Sequence, residues 1–240
     1  MRPTSYIHQR ASLQQITAHV LASRLHDATG RFGLRPTPGG WGTPQHSQQR
    51  ERLRISGELL VREQAGPSNT DTMSLNGSTM ADLAAFAGVD LSAEFSVGHD
   101  TPELDGVDTA LYVSHEAVLR IASWFSLAGQ AIDQTVAAHG GASMAQVWPE
   151  HFDIGIDVAF GPGETDRVNL GASPGDNLHQ DPYLYVGPWT AARPGNDSTY
   201  WNAPFGAVLG EATLTLDTDM AGRAVHFFET GMALLKASAR

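Results

Sequence analysis

Two runs of alternating residues constrain this chain more than any other feature. Ile154, Ile156, Val158 and Phe160 alternate with Asp153, Gly155, Asp157 and Ala159, and after Gly161-Pro162-Gly163-Glu164-Thr165 the alternation resumes at Val168, Leu170 and Ala172. A period of two, broken once by turn-forming residues, predicts an antiparallel hairpin. A slip of one residue would turn every apolar side chain to the wrong face, so the register follows. Val158 pairs with Val168, Ile156 with Leu170 and Ile154 with Ala172. The opposite face then sets Asp157 against Asn169, Gly155 against Gly171 and Asp153 against Ser173, with His151 extending the row.

Paired glycines inside two strands leave a gap in the side-chain layer, and glycine in a strand interior marks close approach by something else. One reading is a groove floored by backbone and rimmed by His151, Asp153, Asp157, Asn169 and Ser173, suited to a small polar molecule or a divalent ion. The other lays an aromatic ring from the following strand, Tyr183, Tyr185 or Trp189, over the glycines.

The rest of the chain supplies helices and further strands. Leu13, Ile16, Val20, Leu21 and Leu25 recur at helical spacing over residues 11–29, with Gly30 placed to end the helix. Residues 35–49, which include Pro36-Thr37-Pro38-Gly39-Gly40-Trp41-Gly42, read as a long irregular loop able to cover a surface or a ligand, with Trp41 docking. Residues 52–63 alternate like a single strand, and Ser78 caps a short helix ending before Gly88. Ser114 starts a long helix whose stripe Val118, Ile121, Ala122, Phe125, Ile132 and Val136 runs to Gly140-Gly141. Asp217 or Asp219 starts a last helix with Ala221, Ala224, Val225, Phe228, Met232 and Leu235 on one face. His115 and His226 sit on these helices without partners at ligand spacing and read as surface or capping residues.

These elements imply an α+β fold: a single domain over residues 1–240, with a mainly antiparallel sheet built largely from the C-terminal half and amphipathic helices packed on it. Residues 1–100 and 106–240 are the natural halves within it, the first adding a helix and one or two strands. A hydrophobic content of 41% with 17% charged residues is globular. The acidic excess, 26 residues against 15 basic, leaves a net charge of −11, which repels phosphate backbones and anionic headgroups. Neither nucleic acid nor membrane is an expected partner. Arg50, Arg52, Arg54 and Arg62 cluster, but Glu51, Glu58 and Glu63 interleave with them as a solvated mixed-charge face. Cysteine is absent, which removes disulfides, thiolate nucleophiles and thiolate metal sites, so any metal would need His, Asp or Glu. Without an apolar leader or a spanning segment, the expected location is the cytoplasm.

Candidate chemistry gathers around the hairpin, where residues 148–202 hold three of the five tryptophans and three of the five tyrosines. Gly171-Ala172-Ser173-Pro174-Gly175 matches the string of a hydrolase nucleophile elbow, with Asp176 and His179 nearby. The mechanism fails, since the residue after the serine should donate its backbone N–H to an oxyanion and Pro174 has none. His151, Asp153 and Asp157, with His179 or Asp176 from the loop, offer nitrogen and oxygen ligands to a divalent metal, against the reading in which His151 only hydrogen-bonds a carboxylate. A metal-free site would use Glu150 or Asp153 as general base beside a histidine.

The phrases Trp148-Pro149-Glu150-His151-Phe152-Asp153, Gly171-Ala172-Ser173-Pro174-Gly175-Asp176, the run Pro182 to Trp189 and Trp201-Asn202-Ala203-Pro204-Phe205-Gly206 resemble those of a family of bacterial proteins of unknown function. The resemblance covers the C-terminal half well and the first hundred residues weakly. It implies that the phrases form one structural unit and brings no catalytic residues with it.

The resulting expectation is a small-molecule enzyme or binding protein with its pocket over Gly155 and Gly171. His151 and Asp153 would serve proton transfer or metal ligation. Glu150, Asn169, Ser173, Asp176 and His179 would supply ligand hydrogen bonds, and Tyr183, Trp189 and Trp201 the walls. The competing expectation is a non-catalytic interaction protein, a homodimer joined through Trp189, Tyr200, Trp201 and Phe205.

Overall fold

The computed structural model describes residues 5–47, 50–65, 69–93, 95–98, 100–139, 144–190 and 199–238. Among them, helices accompany two five-stranded antiparallel sheets, an α+β fold. By its internal contacts the chain divides into two compact units, Met1–Ser123 with Val147–Phe152, and Trp124–Gln146 with Asp153–Arg240.

In the first unit, helix α1 (Tyr6–Ile16) begins at Ser5, whose side chain accepts the amide of His8, and α2 (Ser23–Thr29) ends on Gly30 at φ 70°. The turn between them, Thr17–Ala22, is π-helical and buried throughout. At its start the Leu13 carbonyl takes both the hydroxyl of Thr17, at 2.6 Å, and the Thr17 amide, which also reaches the Gln14 carbonyl.

Strands β1 (Arg35–Thr37), β2 (Gly40–Gly42), β3 (Arg52–Ser56), β4 (Leu59–Glu63) and β5 (Thr70–Ser74) form the first sheet in chain order. Three expectations are corrected here. The Pro/Gly-rich stretch is partly a hairpin, because Gly40 and Gly42 let β2 lie against β3: a Cβ on Gly40 would stand 1.9 Å from the Ile55 carbonyl oxygen, and one on Gly42 2.4 Å from that of Leu53. Residues 52–63 make two strands turning at Gly57, which takes φ 55°. The N-terminal half therefore carries a full sheet. Trp41 is buried, its indole N–H donating to Thr17 Oγ1 at 2.8 Å and its ring edge-on to Phe152 at 5.4 Å.

The mixed-charge face pairs Arg54 with Glu63 and Arg62 with Asp71, but Glu51 leaves it: buried, it takes Arg24 at 2.8 Å and lies 3.5 Å from His46 Nε2. Helix α3 (Met80–Ala87) is capped by Thr79, not Ser78, in a reciprocal box with Asp82, and ends on Gly88. Helix α4 (His115–Ala138) starts where expected, Ser114 Oγ accepting the Ala117 amide, and buries the expected stripe. Gly140 and Gly141 lie outside the described residues.

The second sheet follows the order β10-β9-β8-β7-β6, with β6 Gln146–Trp148, β7 Asp153–Ala159, β8 Arg167–Ser173, β9 Tyr183–Pro188 and β10 Ala207–Gly210. The β7–β8 register runs through Ile154↔Ala172, Gly155↔Gly171, Ile156↔Leu170, Asp157↔Asn169 and Val158↔Val168, as the alternation requires. After the short α5 (Glu211–Leu214), helix α6 (Met220–Ser238) begins on Asp219, which accepts the Gly222 amide. Glycine sets the closest helix contacts in this unit. Ile154 reaches 3.0 Å from a Cβ built on Gly129 of α4, and Tyr200 and Val186 fill the space a side chain at Gly231 of α6 would need.

Candidate functional site

The β9 ring that faces the paired glycines is Tyr185. It pairs with Gly171, and a Cβ placed there would stand 2.3 Å from the ring; at Gly155 it would meet the hydroxyl at 3.0 Å. The open groove expected over the hairpin is therefore filled, because glycine on both strands leaves one ring's thickness of space and the adjacent strand supplies the ring.

Beneath this ring the sequence-predicted polar residues are committed to one another. Tyr185 donates its hydroxyl to Asp153, and Tyr183 donates to Asp176 at 2.5 Å. The other Asp176 oxygen accepts the amides of Leu178 and His179, and Ser173 Oγ accepts that of Gly175. Burial first, and then the adjacent Asp153 carboxylate, push the Tyr185 phenol well above its ordinary range. Burial and the Asp176 bond do the same to Tyr183, opposed by a hydrogen bond with Ser173. Both phenols stay protonated donors. His179 lies edge-on to Tyr183 at 5.7 Å, its Nδ1 on the Asp181 carbonyl at 2.9 Å. Together these bonds form a tyrosine–carboxylate network.

The remaining predicted residues are elsewhere. Asp157 is held by Arg167, which also lies over the ring of Trp189; the exposed Trp189 donates to Asn169 at 3.2 Å. Trp201 packs edge-on to Tyr200, whose hydroxyl donates to the Phe227 carbonyl, so Tyr200 is turned into its own unit, while Phe205 packs on Tyr185. The expected patch is thus divided among separate contacts. Glu150 and His151 belong to the first unit. The Glu150 carbonyl accepts Gln14 at 3.0 Å, and the exposed His151 lies 3.7 Å from the Asp100 carboxylate. Asp153, expected to work with His151, has instead taken the proton donor Tyr185. Among the described residues, no group of three His, Asp or Glu side chains is placed to hold a metal ion.

A site that sequence reading missed lies in the first unit. A cavity of about 660 Å³ is lined by His19 and Ser23, by Asp90, Ser92 and Ser96, and by the apolar Val89, Leu91, Phe95 and Leu104. His19 belongs to the π-helical turn and Ser23 follows it directly. His19 is 9% exposed, and its Nε2 meets the Pro102 carbonyl at 2.7 Å. A carbonyl only accepts, so Nε2 carries a proton, and in the neutral tautomer that this bond selects Nδ1 is an acceptor. Ser23 is 5% exposed, and its hydroxyl makes no hydrogen bond with a described residue. Asp90 accepts both the amide and the hydroxyl of Ser92, and these bonds hold its carboxyl below the usual range. The signal available was the run Thr17-Ala18-His19-Val20-Leu21-Ala22-Ser23, where polar residues interrupt a helix buried on every side. A smaller cavity, about 330 Å³, lies in the second unit beside Tyr200, Asn202, Arg223 and His226.

No protein-family model, no curated protein and no solved structure matches this chain.

Proposed function

We propose that this chain binds a small molecule in the cavity against the π-helical turn, in place of the hairpin face that its sequence suggests. The observation carrying this reading is the pairing of that cavity with two nearly buried polar groups, His19 Nδ1 and the Ser23 hydroxyl, that form no hydrogen bond with any described residue. Neither atom is sealed from solvent, so each can be reached by a bound molecule, and unspent hydrogen-bonding capacity beside a space of ligand size supports such a molecule as its partner. The π-helical geometry supports the same reading. Such turns recur at functional sites because they re-aim side chains that a regular helix would turn elsewhere.

Binding accounts for these features without a reaction, since no hydrogen bond joins Ser23 to His19 as a nucleophile and its base. The aromatic-interface alternative gains nothing from Tyr200 and Phe205, which spend their rings on their own unit.

Ligand-observed NMR with a fragment library on the full chain tests the reading, beside a Leu104→Trp variant that fills the cavity. Hits lost in a variant of unchanged melting temperature support it. Hits indifferent to the filling, or an absence of hits, would sink it.

A further inference from the structure

We infer that the cavity beside the π-helical turn takes an organic cation, an amine or amidine head on an apolar body; this rests on the reading of that cavity as a binding site. The argument follows the protons. His19 spends its ring proton on the Pro102 carbonyl, Ser92 its hydroxyl proton on Asp90, and Ser96 its own on the Gly98 carbonyl at 2.9 Å. With His19 in its neutral tautomer, what each has left is a lone pair. Both bonds from Ser92 end on Asp90 Oδ1, so Oδ2 accepts none from a described residue. Among the cavity's described polar side chains, with His19 neutral, the Ser23 hydroxyl alone has a proton still to give. A ligand that satisfies this wall must bring the donors.

Charge narrows the class further, because a polyol also carries several donors. The cavity lining contains the Asp90 carboxylate and, among the described residues, no lysine or arginine. Arg24, next to Ser23 in the chain, turns its guanidinium to Glu51 instead. With a net charge of −11, the chain's overall field also enriches cations near its surface. In the same lining, Leu91, Leu104 and the Phe95 ring offer an apolar seat, and an aromatic face adds its own attraction for a cation. An anion of the same shape would meet Asp90 with no lysine or arginine of the described lining to compensate.

The test is calorimetric titration of the full chain with three probes of one size, benzamidine, benzyl alcohol and benzoate, against the native protein, Leu104→Trp and Asp90→Asn. The second substitution keeps an oxygen for Ser92 while replacing the other carboxylate oxygen with an NH2 donor and removing the charge, so folding is spared, which the melting temperature verifies. Benzamidine should bind about tenfold more tightly than either isostere, as expected for a hydrogen bond to a charged group. Asp90→Asn should erase that preference, and Leu104→Trp should abolish binding. If benzyl alcohol or benzoate binds as well as benzamidine and Leu104→Trp removes it, the cation inference falls while the binding site stands. If no probe binds, or all bind the filled variant equally, the site and the inference fall together.

Discussion

The Tyr185 ring stands 2.3 Å from where a β-carbon on Gly171 would be, so Gly171 cannot gain a side chain unless the ring moves. Gly171→Ala should cost about 1–3 kcal/mol through overpacking, since the intruding methyl meets the rigid end of a ring. Tyr185→Phe keeps the ring and removes a donor from the Asp153 carboxylate, a loss of about 1.5–3 kcal/mol. Urea unfolding at neutral pH reads both. An unchanged midpoint for Gly171→Ala would show that the strands have room the register denies.

Glu51 ties α2 to the first sheet and should mark the acid limit of that unit's stability. Burial alone would raise its pKa, but the hydrogen bond and charge of Arg24, with help from Gln64 and His46, more than offset this and leave it below the ordinary 4.5. A carboxyl depressed in the folded state contributes stability that is complete above its unfolded value and is lost as pH falls through the folded one. Glu51→Gln should therefore lower the melting temperature at pH 7 and converge with the native chain in strong acid. Parallel curves across that range would refute the assignment.

His139 should act in the same direction at milder pH. Burial first, and then the charge of Lys236, lower its pKa from the ordinary 6.5, and Lys236 Nζ donates to its Nδ1 at 2.6 Å, a bond only the neutral ring can accept. The unfolded chain then binds the proton more tightly, so this contribution is whole above about pH 6.5 and drains away as pH falls toward the folded value. Thermal melts between pH 5 and 8 should show a gain in stability with rising pH that His139→Gln flattens. A gain of the same slope in the variant would place its origin elsewhere.

How far the sequence was legible follows from how locally each feature is specified. The β7–β8 hairpin could be read to the residue because alternation and turn fix register together. Gly30 and Gly88 marked helix ends because a left-handed cap asks for glycine. The β1–β2 hairpin was hidden by the same rule, since glycines that signal a loop also permit the strand contact made by Gly40 and Gly42. Three rings were candidates to cover Gly155 and Gly171, and only the β8–β9 register selects Tyr185. The cavity was beyond reach because its walls, His19 and Asp90, lie far apart in the chain, and a π-helical turn leaves no period of its own in the sequence.

Thr17 is where that turn is most open to test. Its hydroxyl donates to the Leu13 carbonyl and accepts the Trp41 indole N–H, so one side chain both crowds the helical ladder and anchors the first sheet's buried ring. Thr17→Val preserves shape and removes both bonds, stranding a buried N–H at about 1–3 kcal/mol. Thr17→Ser retains the hydroxyl and should recover most of that loss, the remainder being the missing methyl. If the π-helical turn aims His19 at the cavity, Thr17→Val should also weaken benzamidine binding while Thr17→Ser does not. Calorimetry on the two variants separates these effects: a stability loss with unaltered probe affinity would mean that the turn is fixed by packing and owes its geometry to neither bond.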